Sequence, residues 1–124
     1  MTPRRRAALA GATAATIWGL LEPLEQRLFR CSYSDVALVG GGRRGFGFLS
    51  HAASGAIFGV CFDAVRSRTS IDQRRLALGL ALAEHTALWP FMRFVDRDLL
   101  TSPRAFALAT ARHALFGAVL GRLA

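Results

Sequence analysis

Four long apolar runs, over 7–21, 45–62, 76–92 and 105–121, occupy most of a chain of only 124 residues. Each approaches the ~20 residues that cross ~30 Å of hydrocarbon as a helix. The second run carries no formal charge, the third is interrupted only by Glu84 and the fourth only by Arg112. A soluble helical domain would show a polar residue at every second or third position of each helix. The pattern therefore predicts an all-α integral membrane protein, a four-helix bundle. Its four transmembrane helices are expected over about 7–22, 45–65, 75–93 and 103–123, with an interfacial segment over 22–44, all within one domain spanning 1–124.

Apolar residues make up 52% of the chain and charged residues 19%, too apolar a balance for an ordinary soluble domain of this size. The net charge of +8 invites a nucleic-acid reading, but the arginines fall in short clusters between the apolar runs. That is how multi-pass membrane proteins distribute charge over their loops, and no nucleic-acid-binding motif accompanies them. Nucleic acid is thus excluded as a partner. An even number of spans puts both termini on one side. That side carries Arg4, Arg5, Arg6, Arg66, Arg68, Arg74, Arg75 and Arg122, against Arg27, Arg30, Arg43, Arg44, Arg93, Arg97 and Arg104 on the other. The small excess places both ends in the cytoplasm and the protein in the cell membrane.

Punctuation supports these boundaries. Thr101-Ser102-Pro103 offers a cap followed by a first-turn proline for the fourth helix. Pro23 and Pro90 are placed to end or kink the first and third spans, with Trp18 and Trp89 in interfacial belts. Leu21, Leu24 and Leu28 recur at helical spacing opposite Glu25, Gln26 and Arg27, which predicts a short helix on the membrane surface. Gly40-Gly41-Gly42 reads as a turn, since the phosphate-loop pattern is missing. Cys31 and Cys61 read as isolated thiols.

Helices in lipid associate through small residues. His51-x3-Gly55-x3-Gly59 on the second span matches His113-x3-Gly117-x3-Gly121 on the fourth. The match suggests a two-hairpin internal repeat, and Gly55, Gly59, Gly117 and Gly121 are expected at helix contacts.

Counting along the helices puts Glu84 and His85 ~14–15 Å from Arg75, Arg112 and His113 ~16–18 Å from the chain end, and His51 ~18 Å from Asp63. All five lie near the midplane. Ionisable groups at that depth cost about 2.5–3.5 kcal/mol each and face partners inside the protein. Glu84 and Arg112 form the expected ion pair, within a ligand-binding or register-setting cluster completed by His51, His85 and His113. No HExxH, GxSxG or paired-carboxylate motif is present, so no catalytic residue is assigned and the balance is against an enzyme. Glu22, Glu25, Asp96 and Asp98 read as solvated charges. No metal or cofactor is assigned, with haem or a metal on His51, His85 and His113 as a lesser alternative.

The sequence thus points to a non-enzymatic membrane bundle that binds a ligand or assembles with itself or a larger membrane complex. The alternative is a small proton- or ion-coupled transporter or channel using Glu84 and the histidines. An intramembrane lipid-modifying enzyme or haem-binding bundle ranks third.

Overall fold

The computed structural model describes residues Met1–Ala124 and is all-helical, without strands. Four long helices are present: α1 (Pro3–Phe29), α3 (Arg44–Arg66), α4 (Gln73–Leu88) and α6 (Pro103–Leu123). Two short ones, α2 (Asp35–Gly40) and α5 (Arg97–Thr101), lie in the connections, and a 3₁₀ helix over Trp89–Phe94 extends α4.

Local chemistry explains the starts and stops. Thr2 caps α1 by accepting from the Arg5 N–H at 3.3 Å, with Pro3 at the first position, where a missing N–H costs nothing. Asp72 caps α4 through the Arg74 and Arg75 N–H groups, both at 3.1 Å. Ser102 caps α6 through the Ala105 N–H at 3.2 Å. Between α2 and α3 the chain reverses through Gly41 and Gly42 at φ 55° and 84°, a left-handed conformation that glycine adopts without steric cost.

Three expectations are corrected here. Pro23 does not end the first helix, which runs through it to Phe29. The residues read as a surface helix are therefore the last turns of α1, and their polarity is reversed. Leu24 and Leu28 are 54% and 71% exposed, whereas Glu22 is buried. Trp18, expected in an outer belt, is 5% exposed inside the protein. Further along, α4 is only 16 residues long before the backbone tightens to a 3₁₀ helix at Trp89-Pro90, because Pro90 has no N–H to continue the α-helical ladder. By length and apolarity alone, two helices can cross a membrane, Pro3–Phe29 and Arg44–Arg66.

The long helices pack in the order α3–α1–α6–α4, and α3 scarcely touches α4. Small residues set the two hairpin contacts. A Cβ at Gly55 or Gly59 would collide with the Gly11 or Ala7 carbonyl of α1. A Cβ at Gly117 would lie 2.7 Å from Leu78 Cα, and one at Gly121 2.9 Å from Arg74 Cα, both on α4. The core joins Ala7, Ala14 and Trp18 of α1 to Phe62, Ala77, Phe116 and Leu120. Large apolar side chains meanwhile cover the outside, among them Leu9, Leu20, Leu49, Ile57, Phe91 and Phe94.

Candidate functional site

Arg112, on α6, is 0% exposed and holds the most charged centre of the protein. Its Nε donates to Glu25 at 2.9 Å, its Nη1 to Asp35 at 2.7 Å and its Nη2 to the Tyr33 carbonyl at 3.3 Å. Glu22 stands 3.8 Å from Nη1, and the guanidinium lies 5.6 Å from the Tyr33 ring. Ser34, the cap of α2, donates to Glu22, and the Tyr33 hydroxyl donates to Asp35. Gln26 pins the same loop by donating to the Ser32 and Tyr33 carbonyls. Three carboxylates around one guanidinium leave the centre a formal charge of −2.

Arg112 therefore does not pair with Glu84, contrary to the expectation from depth. Depth along a helix says nothing of direction around it: α6 packs against α1 on the Arg112 face, and Glu84 points from α4 toward the gap beside α3. Its partners are Asp35 and the two glutamates expected as solvated charges, Glu22 and Glu25, because α1 continues past Pro23 and carries both alongside α6.

Burial, and then the neighbouring Asp35 carboxylate, push the Tyr33 phenol above its ordinary value of 10.0. A raised phenol value favours the protonated hydroxyl in the folded protein. Its stabilising contribution is complete below pH 10 and is lost as the pH climbs further. Thermal melts from pH 8 upward should fall above pH 10 for the native chain, with a shallower fall for Tyr33→Phe. Parallel profiles would place no titrating hydroxyl at this position.

The three expected histidines meet through a tryptophan. Ring centroids run from His51 (α3) to Trp18 (α1) at 4.7 Å, to His113 (α6) at 4.8 Å and to His85 (α4) at 4.8 Å, one ring from each long helix. His113 Nδ1 donates to the Ala109 carbonyl at 2.8 Å, which fixes its tautomer. The Thr110 hydroxyl spends its single proton on the Phe106 carbonyl, so His85 Nε2 donates to Thr110 at 2.9 Å. His51 Nε2 and Trp18 Nε1 are buried without a hydrogen-bond partner. His85 and His113 stack with 30° between their planes, turning ring faces rather than lone pairs toward each other. No group of three or more His, Cys, Asp or Glu is placed to hold a metal ion.

Three of these rings, His51, Trp18 and His113, floor a groove between α3 and α4 of about 230 Å³. Trp18, Phe58 and Phe116 line it with His51, His113, Ser54, Asp35 and Glu84. Glu84 is exposed there and makes no hydrogen bond or ion pair within the chain. A second recess of about 160 Å³ adjoins it, sharing Asp35, Leu88 and His113.

No protein-family model, curated protein or solved structure matches this chain.

The site's chemistry is accordingly read from its own atoms. Arg112 donates three hydrogen bonds, is wholly enclosed and is ringed by carboxylates, so it offers no site to an anion. The groove is different: it is lined by a free carboxylate, aromatic side chains and the two residues whose ring nitrogens are unpaired. Trp18, Glu22, Glu25, Tyr33 and Asp35 were not among the residues expected here. A signal for three of them exists, since Gly11, Ala15, Trp18, Glu22 and Glu25 alternate at steps of four and three along one helical stripe. The small residues that mark a contact face thus carry both glutamates into it.

Proposed function

We propose that this chain is a small, non-enzymatic, multi-pass membrane protein that binds a ligand in the groove between α3 and α4. All four long helices cross the bilayer in this reading. The 21 residues of α6 span ~31 Å, and α4 with its 3₁₀ extension spans ~36 Å, enough for a ~30 Å core. The distribution of polarity supports it: leucines and phenylalanines face out, while Arg112 and its carboxylates are enclosed. Water would favour the opposite arrangement. In this reading both termini are cytoplasmic.

A duplicated hairpin accounts for where the groove lies. In each hairpin the later helix seats its glycine pair on the earlier one, and a histidine one turn before the glycines meets a ring: His51 with Trp18, His113 with His85. A two-fold relation between hairpins would make the α1–α6 contact equivalent to the α4–α3 contact. The first is filled by the Arg112 centre, and the second stays open as the groove.

The single observation behind ligand binding is the set of unsatisfied groups there. A buried polar atom without a partner costs about 1–3 kcal/mol, and the two residues that carry one, Trp18 and His51, line the same groove as the unpaired Glu84. A ligand that pairs with them recovers that cost. The test uses thiol labelling in a background free of Cys31 and Cys61. Ser54→Cys, at the groove lip, should react with a water-soluble reagent, and Ile57→Cys, on the outer face of the same helix, should not. Two unreactive sites would make the groove dry and remove the ligand reading.

Labelling also tests topology. Cysteines introduced at Met1 and Ala124 should react from one side of the membrane and those at Tyr33 and Asp98 from the other. Termini labelled from opposite sides would remove the four-span arrangement. A second reading, transport of a proton or ion, is favoured by the second recess, which continues the groove past Asp35 and His113.

A further inference from the structure

We infer that the groove between α3 and α4 takes a small organic cation, an ammonium with an apolar body, held between the Glu84 and Asp35 carboxylates and the rings of Trp18, Phe58 and Phe116. The inference rests on the proposed ligand-binding role of this groove and names the class of ligand.

Charge is the first argument. The chain as a whole is +8, yet no arginine lines this groove, and two carboxylates do. One of them, Asp35, belongs to the centre in which Arg112 offsets only one of three negative charges. The other, Glu84, has no partner at all. In a low-dielectric setting such a local excess draws a cation and repels an anion, because the nearest fixed positive charge is already enclosed.

Aromatic surface is the second. Trp18, Phe58 and Phe116 form an edge-to-face cluster, with Phe58 and Phe116 centroids 5.2 Å apart at 89° and Trp18 and Phe116 at 6.3 Å and 71°. All three line the groove, and aromatic faces attract cations, tryptophan most strongly. Carboxylates and ring faces together select an organic ammonium over a metal ion, for which no ligand set converges. Size is the third. About 230 Å³ is less than the ~300–1,000 Å³ of pockets for drug-sized molecules, so the body is small, of one ring or a short alkyl group.

The test uses the full chain in lipid nanodiscs carrying Trp89→Phe, so that Trp18 alone reports by fluorescence, with calorimetry as a second readout. Three probes of one size are compared: benzyltrimethylammonium, its uncharged carbon isostere neopentylbenzene, and benzenesulfonate. The ammonium should bind at least about tenfold more tightly than the isostere, and benzenesulfonate should not bind. Glu84→Gln should weaken the ammonium about tenfold and leave the isostere unchanged, with an unaltered melting temperature because Glu84 supports no contact. Ser54→Phe, which fills the lip, should block all probes. Equal or tighter binding of the isostere, or an ammonium affinity indifferent to Glu84→Gln, would overturn the cation and leave a ligand groove standing. Binding of no probe by either readout would overturn both.

Discussion

Replacing Arg112 with methionine is expected to cost about 3–5 kcal/mol of stability, read as the loss of the cooperative melt in detergent. The guanidinium is wholly enclosed, and it is the sole cation among Glu22, Glu25 and Asp35. Removing it turns a formal charge of −2 into −3 among carboxylates that keep only 12–15% of their side-chain surface exposed. Arg112→Lys should fall between, since a single ammonium keeps the charge but cannot reach Glu25, Asp35 and the Tyr33 carbonyl from one planar fork. The informative comparison is the neutral set, Arg112→Met with Glu22→Gln, Glu25→Gln and Asp35→Asn. It should recover most of the lost stability, because an uncharged centre no longer needs a cation. Glu84→Gln should change stability by less than about 0.5 kcal/mol, as for surface substitutions that break no contact. If Arg112→Met melts like the native chain, the charged centre contributes nothing to the fold. A large loss from Glu84→Gln together with Arg112→Met would restore the pairing expected from depth alone.

That mistaken pairing shows which kind of information a sequence holds for helices of this sort. Distance along an axis is linear in residue number, so His51, His85 and His113 can be placed near one level, and their rings do join one series through Trp18. Direction around the axis depends on which neighbour a helix packs against, and for Glu84 and Arg112 that was not legible. Cap chemistry was: Ser102 and Pro103 begin α6 where their local hydrogen bonding dictates. Proline was misleading in the opposite sense. Pro23 removes one hydrogen bond, but tertiary contacts of Glu22 and Glu25 with Arg112 hold the helix through it. Asp35 was the hardest to foresee, because it reaches Arg112 from 77 residues away through a loop whose path is set by Gln26, Tyr33 and Ser34. The glycine pattern lay between these extremes: spacing alone gave the faces, and only the packing shows that Gly55 and Gly59 meet α1 while Gly117 and Gly121 meet α4.

Gly11→Leu should be the most damaging change outside the charged centre, lowering stability by about 3 kcal/mol or more. At this crossing the two backbones touch. A Cβ on Gly11 would fall inside the Gly55 carbonyl, and a Cβ on Gly55 inside the Gly11 carbonyl. Neither obstacle is a side chain that can rotate aside, so α1 and α3 must separate. Separation pulls Trp18 off His51, whose rings stand 4.7 Å apart one to two turns along, and opens the floor of the groove. Trp18 emission should therefore shift in parallel with the melting temperature, read in the Trp89→Phe background. Gly79→Leu supplies the control. Gly79 also lies inside a helix, but a Cβ there meets nothing within 4 Å. Leucine is the better helix former by up to about 1 kcal/mol, so this variant should melt at or above the native temperature. The two changes add the same atoms to the same kind of backbone with opposite expected signs. A Gly11→Leu protein that melts within a degree of the native chain would mean that α1 and α3 do not approach at Gly11, and the hairpin contact would have to be drawn elsewhere along the helices.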